Sequence, residues 1–126
     1  MGPAALQRSG RAAVLALFLL GAPLQALGDH RQSFVGGLED LPLMDGLAED
    51  RAAGLIFDKP DGRLVDAYAA GPVTPDAVAA FYRETLPELG WRVVAPLTFE
   101  REGERLTIEA EALAGEVLVR FHLAPR

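Results

Sequence analysis

The 126-residue sequence contains no cysteine. Without a thiol it forms no disulfide and no thiolate metal site, has no cysteine nucleophile, and lacks the lipid-modified cysteine of a bacterial lipoprotein. A small domain of this kind must therefore depend on its hydrophobic core for stability. Lysine is almost absent as well, since Lys59 is the only one. Together with the abundant alanine and arginine, this composition favours a bacterial source with high GC content.

Serine and histidine are scarce. After residue 28 the only serine is Ser33, and the two histidines, His30 and His122, are far apart in the chain. No Gly-x-Ser-x-Gly elbow, HExxH motif or EF-hand loop occurs. Asp58 and Asp61 resemble part of a calcium loop, but the ligand spacing is wrong, and acidic turn residues explain them better. The sequence therefore predicts no catalytic residue, no metal ligand and no cofactor.

The longest apolar run, Ala12–Gly21, is short. A transmembrane helix needs about 20 apolar residues. The run follows two arginines and is followed by small residues at Ala26 and Gly28, which is the pattern of a signal peptide. We therefore expect a signal peptide over residues 1–28, cleavage near Gly28/Asp29, and a mature chain without a membrane span in the periplasm or secreted. An uncleaved membrane anchor is the alternative.

Basic residues are in the minority. Cleavage would remove two arginines and no acid, so the formal charge would move from −6 to about −8, with ten arginines and lysines against eighteen acids. So acidic a domain repels phosphate backbones and anionic membrane surfaces. This charge argues against nucleic acid as a partner.

One strong amphipathic helix is predicted, over residues 74–91. Thr74 is a suitable N-cap, Pro75 suits the first helical position, and Gly90 suits the left-handed residue after a helix. Pro87 removes a backbone donor, so we expect a kink or break near Leu86. The apolar stripe predicted to face the core consists of Val78, Phe81, Tyr82, Leu86 and Leu89.

Alternating apolar and polar residues predict short strands on both sides of the helix. They span residues 54–58, 63–70, 91–95, 97–101, 105–112 and 116–123. The predicted fold is a two-layer α+β domain over residues 51–126, with the helix on an antiparallel sheet in the order ββαββββ. Residues 29–50 are predicted to be an extended segment with a possible edge strand near 41–44. Its apolar residues expected to dock on the core are Phe34, Leu41, Leu43, Met44 and Leu47.

Strand alternation also indicates which polar residues share the open face of the sheet. Tyr68 and Asp66 lie opposite the small residues of their strand, and Arg120 and His122 point outward from the last strand. These four residues form the candidate contact surface. The carboxylates Glu100, Glu109 and Glu111 are candidates for acid–base chemistry, although cross-strand pairing with arginines explains them without a site. The aromatic residues Phe81, Tyr82 and Trp91 are predicted to belong to the core rather than to a ligand box.

The helix and its exit also resemble a known pattern. Residues 81–91, FYRETLPELGW, resemble a motif in small exported bacterial proteins and lipoproteins of unknown function, whose helix ends in Leu-Pro-x-Leu-Gly-Trp. Residues 40–46, DLPLMDG, are similar to their Leu-Pro-x-x-Pro-Gly stretch, with Asp45 in place of proline. The resemblance covers about half of the mature chain. It implies an exported α+β domain and implies no activity, and membrane tethering does not carry over without the cysteine.

These observations favour a non-enzymatic binding or envelope-associated protein of the periplasm. The partner expected is a periplasmic or envelope protein, which an exposed edge strand would bind by strand pairing. The alternative is a small-ligand carrier or an enzyme that uses a pocket between the helix and the sheet.

Overall fold

A computed structural model describes residues 33–126. The predicted signal peptide, its cleavage site and His30 lie outside the described residues. The described chain contains β1 (Ala48–Glu49), a 3-10 helix (Arg51–Ala53), β2 (Leu55–Lys59), β3 (Gly62–Gly71), α1 (Pro75–Glu88), β4 (Arg92–Ala95), β5 (Thr98–Arg101), β6 (Glu104–Leu113) and β7 (Glu116–Pro125).

The seven strands form one antiparallel sheet in the order β1-β3-β7-β6-β5-β4, and β2 also pairs with β3. The predicted α+β class is confirmed, but the order ββαββββ is wrong in detail because β1 adds a third strand before the helix. Two residues are too few to show the alternation from which strands are predicted. No strand forms at residues 41–44, where Pro42 makes only an isolated bridge to Phe34.

One face of the sheet is buried beneath α1. Val65, Ala67 and Ala69 of β3 are buried as predicted, and so are alternate residues of β6 and β7. The buried residues of these two strands are Leu106, Ile108, Val117, Val119, Phe121 and Leu123. Ala112, which strand alternation places on the same face as Leu106 and Ile108, is exposed, as are all residues of the hairpin tip from 111 to 116. The hydrophobic core therefore ends before the tip of the β6–β7 hairpin.

Helix α1 begins as its sequence predicts. The Thr74 hydroxyl accepts a hydrogen bond from the Ala77 N–H at 3.1 Å, and Pro75 is the first helical residue. Three residues of the predicted stripe, Val78, Tyr82 and Leu86, are buried, while Phe81 is partly buried against the core. Leu89 is exposed instead, because the helix ends at Glu88 and Leu89 already belongs to its cap.

The helix ends without the break expected near Leu86. It continues through Pro87 to Glu88, and two hydrogen bonds close its end: Trp91 N–H to Leu86 O at 3.1 Å, and Gly90 N–H to Pro87 O at 3.1 Å. Gly90 has φ +91°, so this is a Schellman motif. The motif turns the chain so that Trp91 enters the core, where it is 4% exposed.

The segment before β1 docks on this core. Leu41, Leu43 and Leu47 are buried and Met44 packs against the core, as predicted, whereas the Phe34 side chain is 46% exposed. Val35, the next residue, is buried instead, and so is Leu38 in the following turn. The predicted docking is therefore right for the segment and wrong for Phe34.

Candidate functional site

The four residues of the predicted contact surface lie on two neighbouring strands. The β3–β7 register pairs Asp66 with His122 and Tyr68 with Arg120. All four are only partly exposed and lie on the face opposite the buried alanines. The structure therefore brings the predicted residues together, although Asp66 and His122 are 56 residues apart in sequence.

Three of these residues form a hydrogen-bonded cluster around the Asp66 carboxylate. Arg120 Nε lies 3.0 Å and His122 Nδ1 2.8 Å from Asp66 Oδ1. A second Arg120 nitrogen, Nη1, donates to Glu109 Oε1 at 3.1 Å. Burial raises the pKa of Asp66, but the hydrogen bond from His122 and the charge of Arg120 outweigh it and hold this pKa below its usual value. Asp66 is therefore ionised at neutral pH, and both Arg120 and His122 contact its Oδ1 atom.

A shallow groove lies beside this cluster on the open face. Its volume is about 390 Å³, and it is lined by Tyr68, Glu109, Ala110, Glu111, Leu118 and Arg120. Leu118 is 41% exposed and, with Ala110, contributes an apolar surface to a groove whose other side chains are polar or charged. The groove contains two of the four predicted residues, Tyr68 and Arg120. Asp66 lines a different cavity instead.

The carboxylates considered for acid–base chemistry are separated by the register. Glu109 pairs across the strands with Arg120, Glu111 with Leu118, and Glu100 with Arg105. Glu100 is therefore not opposite the other two glutamates, and two of the three carboxylates are held by arginine. Within residues 33–126, no group of three histidine, aspartate or glutamate side chains is arranged to hold a metal ion.

Strand β2 exposes three large apolar side chains in succession, with Leu55 and Phe57 on one face of the sheet and Ile56 on the other. Leu55, Ile56 and Phe57 are 54%, 59% and 57% exposed, and β2 pairs only with β3 among the described strands. A cavity of about 250 Å³ adjoins the beginning of β2. It is lined by Gly36, Gly37, Glu49, Arg51, Gly54, Leu55, Ile56 and Asp66. The apolar residues of this strand are visible in the sequence, but their exposure depends on the strand order.

The opposite side of the sheet carries a cluster of arginines around Glu100, of which the sequence predicted only the cross-strand pairing with arginine. Glu100, which is 6% exposed, accepts hydrogen bonds from Arg92 on β4 and Arg105 on β6, and Arg126 lies within ion-pair distance. Arg101, the residue after Glu100, points to the other face, and its guanidinium carbon lies 4.3 Å from the centre of the Trp91 ring. Alternation alone assigns Arg101 and Glu100 to opposite faces, so this part of the arrangement had a signal in the sequence.

Neither of these two cavities lies between the helix and the sheet, because no residue of α1 lines either one. Between the helix and the sheet, the side chain of Tyr82 is fully buried. Its hydroxyl donates a hydrogen bond to Pro42 O at 2.8 Å and accepts one from Met44 N–H at 3.1 Å. Its ring packs edge-on against Phe81 and Phe121. Tyr82 and Trp91 thus belong to the core, as predicted.

No protein-family model, curated protein or solved structure matches this chain. Among residues 33–126, α1 is too short and too polar to cross a membrane, and no other helix qualifies either.

Proposed function

We propose that this protein is an exported, non-enzymatic binding domain that takes up an extended segment of a partner protein along β2. The observation that supports this most directly is the run of three large apolar side chains, Leu55 to Phe57, exposed on an edge strand. An edge strand presents unpaired backbone donors and acceptors to which another strand can add, and exposed apolar side chains strengthen such pairing.

A comparison of the two sheet edges supports the choice of β2. Natural proteins protect edge strands with bulges, charges or prolines. The register of β4 with β5 shifts between Val93 and Ala95, so the β4 edge is interrupted. The register of β2 with β3 runs without a shift from Leu55 to Lys59. Charged residues occur only at the far end of β2, so its apolar part remains open to strand pairing.

Charge indicates the chemistry of the partner. Residues 33–126 contain nine arginines and lysines and seventeen aspartates and glutamates, which gives a formal charge of −8. Two copies of such a domain repel each other, whereas a basic partner is attracted and associates faster. We therefore propose a basic envelope protein whose extended segment alternates apolar and basic residues.

The cellular location of the protein is part of the same proposal. The two arginines, the apolar run Ala12–Gly21 and the small residues up to Gly28 support a signal peptide and a periplasmic or secreted mature protein. Fractionation of the native host tests this location, because recovery of the protein from the cytoplasm would contradict it.

A capture experiment from an envelope extract tests the binding surface. The tagged mature protein is compared with Ile56→Lys and with the control Val94→Lys, which places the same charge on an exposed residue of the other edge. We expect wild type and Val94→Lys to capture the same basic protein and Ile56→Lys to lose it, with capture weakening as salt rises.

Two results would contradict the proposal. One is that nothing is captured above background by folded wild-type protein. The other is that Ile56→Lys captures the partner as well as Val94→Lys does. A Tyr68→Ala variant separates the edge from the open face, because loss of capture in this variant alone would assign binding to the predicted contact surface instead.

A further inference from the structure

Three arginines converge on one carboxylate at the β4 side of the open face. Arg105 contacts Glu100 Oε2 through Nη2 at 2.6 Å and through Nε at 2.9 Å. Arg92 Nη2 donates to Glu100 Oε1 at 3.1 Å, and Arg126 Nη1 lies 3.5 Å from the same oxygen. We call Arg92, Arg105 and Arg126 the arginine cluster.

The cluster has a surplus of positive charge. Three guanidinium groups surround one carboxylate, and the hydrogen bond from Arg105 lowers the pKa of Glu100, so it stays ionised. The two carboxylates at the β5–β6 turn are engaged elsewhere: Glu102 Oε2 lies 3.9 Å from Arg101 Nε, and Glu104 pairs with Arg63. The arginine cluster and Glu100, with three positive groups and one negative group, therefore carry a formal side-chain charge of +2 in a domain whose formal charge is strongly negative.

The arginines also retain hydrogen-bonding capacity toward solvent. A guanidinium has five N–H donors. Arg92 and Arg105 use one and two nitrogens, respectively, toward Glu100. The side chains of Arg92, Arg105 and Arg126 are 66%, 53% and 53% exposed, whereas the Glu100 side chain is 8% exposed. The buried carboxylate of Glu100 thus anchors the three arginines, and their remaining N–H donors are exposed to solvent.

We propose that the arginine cluster binds a compact oxyanion such as a phosphate group. Planar guanidinium groups bind phosphate through paired hydrogen bonds, and three of them carry more N–H donors than the single Glu100 carboxylate accepts. The phosphate is either a free anion or the head group of a lipid. This site is independent of strand pairing at β2, which lies at the other side of the sheet.

Titration of the mature protein with inorganic phosphate tests the site. Backbone amide and arginine Nε–H signals are followed by NMR at constant ionic strength. We expect saturable shifts confined to β4, β5, β6 and Arg126, and an affinity roughly tenfold weaker in Arg92→Gln, since a charge-assisted hydrogen bond is lost. Arg83→Gln is the matched control, because Arg83 is exposed on α1 and the change in charge is the same.

A variant that is expected to raise phosphate affinity distinguishes phosphate binding from a purely structural role of the arginine cluster. Glu100→Gln removes the competing carboxylate, so phosphate affinity should rise in this variant, which a merely structural ion-pair network would not produce. If Glu100→Gln does not fold, the comparison of Arg92→Gln with Arg83→Gln still decides.

Flotation with vesicles identifies the source of the phosphate. Phosphatidylcholine vesicles containing phosphatidic acid are compared with vesicles of phosphatidylcholine alone. Binding to inorganic phosphate that depends on Arg92 supports a free anion. Binding only to the phosphatidic acid vesicles, again dependent on Arg92, supports a lipid head group. The proposal is overturned if neither probe binds, or if Arg92→Gln and Arg83→Gln weaken binding equally.

Discussion

Replacing Tyr82 with phenylalanine removes one oxygen from the interface between α1 and the N-terminal segment. The hydroxyl donates to Pro42 O at 2.8 Å and accepts from Met44 N–H at 3.1 Å, so a single group joins the helix to the chain about 40 residues earlier. The aromatic ring remains in place in the variant, with its edge-on contacts to Phe81 and Phe121. The change therefore isolates the hydrogen bonds from the packing.

The expected cost follows from the burial of the two partners. A buried polar group that loses its hydrogen bond costs about 1–3 kcal/mol. Pro42 is buried, so its carbonyl should carry the full cost, while Met44 is partly exposed and its N–H can find water. We expect Tyr82→Phe to lower the free energy of unfolding by roughly 1–3 kcal/mol, a large share of the total stability of a small domain.

Urea unfolding measures this cost. Trp91 is the only tryptophan, so its fluorescence reports the end of α1, and far-ultraviolet circular dichroism reports the whole fold. Tyr68→Phe is the matched control, because it is the same change at a residue for which no hydroxyl hydrogen bond is found within residues 33–126. We expect the control to stay within about 0.5 kcal/mol of wild type.

Hydrogen exchange locates the effect. The Met44 amide should exchange faster in Tyr82→Phe, since its acceptor is gone. An unfolding midpoint of Tyr82→Phe equal to that of Tyr68→Phe would contradict the expected cost of losing these hydrogen bonds. In that case the N-terminal segment would be held by its leucines alone.

Two further predictions concern the packing of the core and the loss of folding stability at acidic pH. Trp91→Ala should cost about 3–5 kcal/mol, because it empties a buried site beneath Arg101, and a midpoint by circular dichroism near that of wild type would contradict this. The pKa values of Asp66 and Glu100 are both lowered in the fold, so stability should be full above about pH 5 and fall as the pH drops through the lowered pKa values. Asp66→Asn should make this fall shallower in urea unfolding at a series of pH values, and an unchanged slope would count against the Asp66 cluster.

The elements whose signals are local were predictable from the sequence. The N-cap at Thr74 and the left-handed Gly90 bound α1 as expected, because capping depends on residues within one turn. Strand alternation likewise placed Asp66 and Tyr68 on the open face. The fold class and most of the core therefore followed from the sequence.

Features that depend on distant pairing were not predictable in the same way. Glu49 is an acidic residue in a polar stretch, yet its carboxylate accepts the Gly36 N–H at 2.9 and 3.1 Å with a side chain only 9% exposed. Only the pairing of β1 with β3 brings Glu49 to that position. The same holds for Leu55 to Phe57, whose apolar character is evident in the sequence but whose exposure depends on β2 being an edge strand.

The strand order separates the two proposed sites and distributes charge unevenly across the open face. β2 lies beside β3 at one side of the sheet and β4 closes the other. Between them run two cross-strand ladders: Arg92–Glu100–Arg105, with more arginine than glutamate, and Glu109–Arg120–Asp66, with more carboxylate than arginine. A basic partner is therefore drawn toward the β3 side and an anion toward the β4 side. Because the two attractions act on different strands, loss of one in Ile56→Lys or Arg92→Gln should leave the other intact.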